Sequence, residues 1–229
     1  NAGRHGVLVT GLPCPVAQKS VLNYNRKLRS KLIDVDHPIM KFSASNKEVI
    51  NVIDDVISGK ISGLITSGVN PLYAIPNKEF HEAYKSLEFS LAFAMRSDET
   101  AVQAKYVAAT PHYLESWGDA ELKKGTFSLI QPTIRPLFNT KQFQDCLLEW
   151  SGSDKSSYYN YLKDFWENNI LSGKSWNKAL HDGVFKSDFA FGQSQRDKID
   201  LKRKNFEKSN SFKLCLYTKT GLGDGRQAN

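Results

Sequence analysis

Ser67, Gly68, Asn70 and Pro71 sit in the run LITSGVNPLYAIP, Leu64 to Pro76, where apolar residues lead into a glycine and an Asn-Pro turn. The pattern predicts strand, turn and helix, which is half of an α/β unit. In open α/β sheets small anionic ligands gather at the carboxyl ends of strands, because backbone N–H groups and helix N-termini converge there. These four residues are therefore the first candidates for a small-molecule site. The same Gly-x-Asn-Pro turn also serves many folds simply to change direction, and spacing by itself favours that structural reading.

Other constellations are weaker. His112 and Glu115 stand three apart with Asp119 close behind, types that could hold a metal or move a proton, but only one histidine is present locally. A hydrogen-bonded loop is the better reading, with Trp117 and Gly118 fixing the turn and Asp119 accepting backbone N–H groups. His181 and Asp182 are adjacent, so a helix points them apart and they read as a helix-end pair. Cys14, Cys146 and Cys215 are far apart and odd in number, which encodes neither a disulfide framework nor a zinc or iron-sulfur site. No G-x-S-x-G elbow occurs, and GLGDG, Gly221 to Gly225, lacks the Lys-Ser/Thr of a phosphate loop. It reads as a flexible turn.

The elements that would position these residues follow from periodicity. GVLVTG, Gly6 to Gly11, reads as a first strand, followed by a helix opened by Pro15 with apolar positions Val16, Val21, Leu22, Leu28 and Leu32. Lys41 to Ala44 reads as a short strand. Asn46 caps a helix that Gly59 stops, with Val49, Ile50, Ile53, Val56 and Ile57 turned to a sheet. Gly63 to Ser67 is the central strand, a helix begins near Asn77, and Leu87 to Met95 is apolar enough for a strand covered on both faces. Ser97 or Asp98 then caps a helix over ETAVQAKYVAAT, where Glu99 suits the positive end of the dipole.

This alternation predicts an α/β fold, a Rossmann-like three-layer domain with a mostly parallel sheet over residues 1–150. Pro111 to Leu137 reads as an ordered loop with one short strand, Thr126 to Ile130, and Thr140 to Trp150 as a closing helix. From the linker-like SGSDKSS, residues 151–211 read as a helical and irregular extension containing YYNYLKDFWENNIL and SWNKALHDGVF. FKLCLY, Phe212 to Tyr217, reads as a strand that begins a truncated further domain over 212–229. The absence of an initiating methionine and the polar tail give both ends the look of cuts from something longer.

With 229 residues and 40% hydrophobic content the chain can bury a sizeable core, and no run reaches the length needed to span a bilayer. The net charge of +7 is scattered, and its densest stretch, Arg196 to Lys208, is diluted by acids, so nucleic acid is not an expected partner. A basic nucleotide-binding domain is the third and weakest function class these residues allow.

Taken in order, SGVNPLYAIP, DETAVQAKYVAATPHYLESWGD, KKGTFSLIQPTIRPLFNTKQFQDCLLEW and GLGDGRQAN resemble the molybdopterin oxidoreductase superfamily. More closely, they are similar to the iron-sulfur, molybdopterin-oxidoreductase-like large subunit of bacterial alternative complex III. The resemblance covers most of residues 5 to 150 and returns at 212 to 229. It implies that Ser67, Gly68, Asn70, Pro71, Glu99 and Thr100 belong to a cradle for a pterin guanine dinucleotide. Where catalytic relatives read Ala-Asp-x-x-Leu-Pro, this chain has Ala104, Lys105, Tyr106, Val107 and Ala108, with Pro111 displaced.

The resemblance thus implies a retained scaffold from which the cofactor has been lost, with no cofactor in this fragment and iron-sulfur clusters elsewhere on the full chain. It also implies other subunits of a membrane-bound respiratory complex as partners and a periplasmic, membrane-associated location. A scaffold would have a filled or narrow cleft beside Gly68 and an aromatic partner surface around Trp117, Tyr158 and Trp166. A cofactor-binding part of an active molybdenum oxidoreductase would instead have an open cleft with free N–H groups near Ser67 to Asn70.

Overall fold

The structure, a computed structural model, describes residues 3–12, 14–34, 37–39, 46–155, 157–188, 219, 221 and 223. The expected strands at 41–44 and 212–217 and the charged stretch 196–208 lie outside the described residues. Contacts divide the chain into two units, Asn1–Leu32 with Asp197–Asn229, and Ile33–Arg196.

In the first unit α1 spans Pro15–Leu28, with Pro15 in the first turn where its missing N–H costs nothing. The helix stops at Arg29 in the left-handed region, φ 49°, short of Leu32. Gly6 to Gly11, expected to be a strand, forms no ladder. A side chain takes the place of a neighbouring strand: the Leu8 N–H donates to Asn25 Oδ1 at 2.8 Å, and Asn25 Nδ2 donates to the Leu8 carbonyl at 2.8 Å. Asn25 is buried on α1 and so satisfies the backbone of Leu8 without a neighbouring strand.

The second unit begins with α2, Asn46–Ile57, which ends in Gly59 at φ 72°. Ile53, Val56 and Ile57 enter the core with Phe80 and Tyr84. Val49 and Ile50, expected on the same packed side, are exposed, because the core contacts begin a turn later. β1 (Gly63–Ser67), α3 (Pro71–Ala74), α4 (Lys78–Ser86), β2 (Phe89–Ala94), α5 (Glu99–Gln103) and β3 (Tyr106–Ala109) follow. The three strands form a parallel sheet in the order β1-β2-β3. Asn77 caps α4 by accepting from the Phe80 N–H.

The sheet is covered on both sides. On one face Leu64 joins the cluster of α2 and α4, and the Tyr84 hydroxyl lies against Thr66 and Ser90. On the other, the Phe93 ring meets Phe143 and Trp150 at 4.9 and 6.0 Å. These two rings belong to α6 (Phe143–Trp150), so the architecture is helix, sheet, helix, as a Rossmann-like α/β domain requires.

β3 replaces the second half of the helix expected through Thr110. α5 has only five residues before Ala104 turns extended, and the Lys105 N–H then donates to the Ser90 hydroxyl at 2.8 Å. Tyr106 to Ala109 continue as a ladder on β2, supplying partners to backbone groups that a helix would have left unpaired.

The remaining elements make an antiparallel sheet. β4 (Gly118–Lys123) and β5 (Thr126–Ile130) form a hairpin, so the expected loop holds two strands rather than one. At its turn Gly125 has φ 72°, and a Cβ there would come within 2.8 Å of the Ser187 carbonyl oxygen. α7 (Tyr158–Phe165) runs into a π-helical turn, Trp166–Ile170, and α8 (Trp176–Asp182) precedes β6 (Val184–Lys186), which pairs with β5. Gly183, at φ 68°, ends α8 earlier than SWNKALHDGVF predicts and frees Val184 to Lys186 for the sheet.

Phe127, Leu162, Trp166, Ile170, Leu171 and Trp176 are the core of this half. The expected aromatic partner surface is therefore not one: Trp166 is fully buried, and Trp117 and Tyr158 pack against it half-buried. Asp119 accepts from the Trp166 indole N–H at 2.8 Å, not from backbone N–H groups. Burial pushes the Asp119 carboxyl up, and the indole bond holds it partly down. Burial also pushes the Tyr158 hydroxyl up to about 12, with the Asp119 charge adding to the effect.

Because Asp119 has a raised folded pKa, its favourable contribution is complete below the unfolded value and is lost as pH rises through the folded value. Asp119→Asn keeps an acceptor for the indole and removes this titration. Its stability at neutral pH should equal or exceed that of the wild type, with a flatter dependence across the mildly acidic range. Urea midpoints measured from pH 4 to 7 check this.

Candidate functional site

The parallel register brings the two sequence motifs to one corner. Ser67 is paired with Phe93, so the chain leaves β1 and β2 at the same edge of the sheet. After β1, Gly68 turns at φ 65° and its N–H donates to the Phe93 carbonyl at 3.3 Å. Asn70 is the N-cap of α3, accepting from the Tyr73 N–H at 3.3 Å, and Pro71 fills the first helical position. After β2, Asp98 caps α5 by accepting from the Thr100 and Ala101 N–H groups at 3.1 and 2.8 Å.

Three side chains then join the two turns. Asn70 Nδ2 donates to Glu99 Oε2 at 2.6 Å, and the Thr100 hydroxyl donates to Asn70 Oδ1 at 2.7 Å. Thr100 Oγ1 in turn accepts from the Leu72 N–H at 3.1 Å. Thr100 is buried while Glu99 is exposed. The Asn70 amide, followed by the backbone N–H of Glu99 itself, holds the Glu99 carboxyl below the ordinary carboxylate range. The corner thus carries a negative charge at neutral pH.

Of the sequence candidates, Asn70, Glu99 and Thr100 meet directly, and Pro71 starts the helix beside them. Ser67 and Gly68 are exposed at the strand end and make no side-chain bond to the other four. A Cβ on Gly68 would meet nothing within 4 Å. Asp98 belongs to the constellation as well, and its position before ETAVQ was the signal for it.

A pterin dinucleotide would need N–H donors here for its phosphates. The donors of Gly68, Leu72, Tyr73, Thr100 and Ala101 are already engaged within the protein, and an ionised carboxylate stands among them. The residues present do not fit the phosphate portion of that group. Lys105, where catalytic relatives usually have aspartate, donates through Nζ to the Glu88 carbonyl at 3.0 Å.

The remaining candidates are structural. His112 and Glu115 form a reciprocal capping box on a short helical turn, Tyr113–Glu115. His181 and Asp182 do pair, Nδ1 to Oδ1 at 3.0 Å, although adjacent on α8. Among the described residues no group of three or more histidine, cysteine, aspartate or glutamate side chains is placed to hold a metal ion. A cavity of about 380 Å³ lies on the antiparallel half, lined by Asp34, His37, Lys123, Lys124, Lys186 and Asp188 among others. There Lys123 and His37 pair with Asp34 at 2.8 and 3.0 Å.

No family model matches the chain. Over 189 residues, 76% of this chain, it is 31% identical to the protein named menaquinone reductase, molybdopterin-binding-like subunit, of Nitratidesulfovibrio vulgaris. The chain spans about a quarter of that relative's length, 27%. This likeness, on a Rossmann-like α/β fold, supports the molybdopterin oxidoreductase resemblance carried by the motifs.

Asn70→Ala removes the cap on Tyr73 and the partners of Glu99 and Thr100, and should cost about 1–3 kcal/mol. Thr100→Val should show coupling to it of roughly 0.5–3 kcal/mol in a double-mutant cycle. Urea denaturation of the four proteins measures both.

Proposed function

We propose that this chain is part of a molybdopterin-oxidoreductase-like subunit of a quinone-linked electron-transfer complex, and that its α/β domain acts as a scaffold from which the pterin cofactor has been lost. The observation that carries the reading is the engagement of the strand-end N–H groups by the protein's own side chains. The relative's name supplies the quinone and the complex. Alternative complex III, a quinol-oxidising assembly, is the particular complex whose subunit the motifs resemble.

On this reading the partners are the other subunits of that complex, the iron-sulfur clusters lie on other parts of the full subunit, and the location is the periplasmic face of the membrane. No helix among the described residues is long and apolar enough to cross a membrane. The domain's own contribution is a rigid parallel sheet with aromatic cores on which electron-carrying modules are held.

A second reading, the dinucleotide-binding portion of an active molybdenum oxidoreductase, is favoured by one observation. The open space beside Gly68 and its positive φ let a ligand approach the backbone closely.

The intact polypeptide purified from its own cells decides between them. Molybdenum, tungsten and iron are measured on the same sample as the fluorescence of oxidised pterin. The scaffold reading predicts iron and co-purifying subunits without stoichiometric molybdenum, tungsten or pterin. Stoichiometric pterin and metal would overturn it.

A further inference from the structure

The corner where β1 and β2 end has the topology of a phosphate site and the chemistry of something else. In strand-end sites a phosphate is received by backbone N–H groups that have no partner inside the protein. Around Gly68 to Ala74 four of the six N–H groups have such partners: the Phe93 carbonyl for Gly68, the Thr100 hydroxyl for Leu72, the Asn70 side chain for Tyr73 and the Asn70 carbonyl for Ala74. Around Asp98 to Ala101 they exist for three of the four residues. The Asp98 N–H goes to the Arg96 carbonyl, and the Asp98 carboxylate takes both Thr100 and Ala101.

Among the described residues this leaves the N–H groups of Val69 and Asn70 without an acceptor, and that of Glu99 with only its own carboxylate. So few amides are a poor substitute for the water around a diphosphate, and the Glu99 carboxylate, held by Asn70 at 2.6 Å, stands at the same corner. A phosphate entering here would have to displace Asp98 from two donors or face Glu99 unshielded.

The geometry points to a clasp: Asn70, Asp98 and Thr100 occupy from within most of the donors that the phosphates of a dinucleotide would use, and Glu99, held by Asn70, sets a carboxylate beside the rest. The inference rests on the scaffold reading and deepens it, because it names the side chains that replace a ligand. Asn70 is central, since it engages Tyr73 and Thr100 through Oδ1 and Glu99 through Nδ2.

The test uses the full-length polypeptide that contains this chain, isotope-labelled for amide spectra and titrated at low salt with GDP and with inorganic pyrophosphate. The expected result is no saturable change at the amides of Gly68, Leu72, Tyr73 and Thr100. Glu99→Gln, which keeps an acceptor for Asn70 and removes the charge, is expected to be equally silent. Saturable shifts in the wild type that weaken with salt would overturn the clasp, and so would a response confined to Glu99→Gln, since charge alone would then close the corner.

The two readings fail separately. Shifts with GDP in a protein whose native form carries no pterin would remove the clasp and leave the scaffold. Pterin in the native polypeptide with silent amides would remove the scaffold and leave the corner closed.

Discussion

Asn70 is the residue on which the functional face of this domain depends. Its carboxamide is bonded on both sides, accepting from the Tyr73 N–H and the Thr100 hydroxyl and donating to Glu99. Those partners belong to two turns that follow different strands, so one side chain fixes their relative position. The parallel pairing of Ser67 with Phe93 makes the meeting possible, and the burial of Thr100 makes it costly to undo. Strand-end corners that receive a ligand leave such groups open until it arrives; here the Leu72, Tyr73, Thr100 and Ala101 N–H groups are engaged without one.

The rest of the second unit holds that corner in place by different physics. The parallel sheet is anchored by Tyr84 and Phe80 on one face and by Phe93 with Phe143 and Trp150 on the other. The antiparallel half has its own core, in which Trp166 meets Phe127 and Trp176 edge to face at 6.1 and 5.9 Å. Asp119 lets the Trp166 indole be fully buried without an unpaired N–H, at the cost of a carboxyl held partly out of water. Apolar packing supplies the stability, and the polar clasp fixes the geometry of one corner.

What could be read from the residues was whatever a local period or cap encodes. β1, β2 and α4 follow from apolar runs bounded by Gly, Asn and Pro, the end of α6 at Trp150 from its helical period, and Thr126 to Ile130 from its own β-rich composition. β3 was hidden because ETAVQAKYVAAT has helix formers on both sides of Ala104, and only the ladder offered by β2 decides for a strand. Gly6 to Gly11 has strand chemistry, but Asn25 supplies the bonds a sheet would have given.

Tyr158, Leu162, Trp166 and Ile170 repeat every four residues, the signature of a buried helical stripe. That spacing was the available clue that these aromatics face inward. The clasp itself was not legible. Asn70 and Glu99 are 29 residues apart, and no local pattern records that their turns share an edge.

Amide hydrogen exchange in the intact chain tests the central claim most directly. If Asn70 binds the two turns into one unit, the N–H groups of Leu72, Tyr73, Thr100 and Ala101 will open together with a single free energy, well above that of exposed loops. Independent exchange of the α3 and α5 amides at loop-like rates would contradict it, because each turn would then be held by its own cap alone.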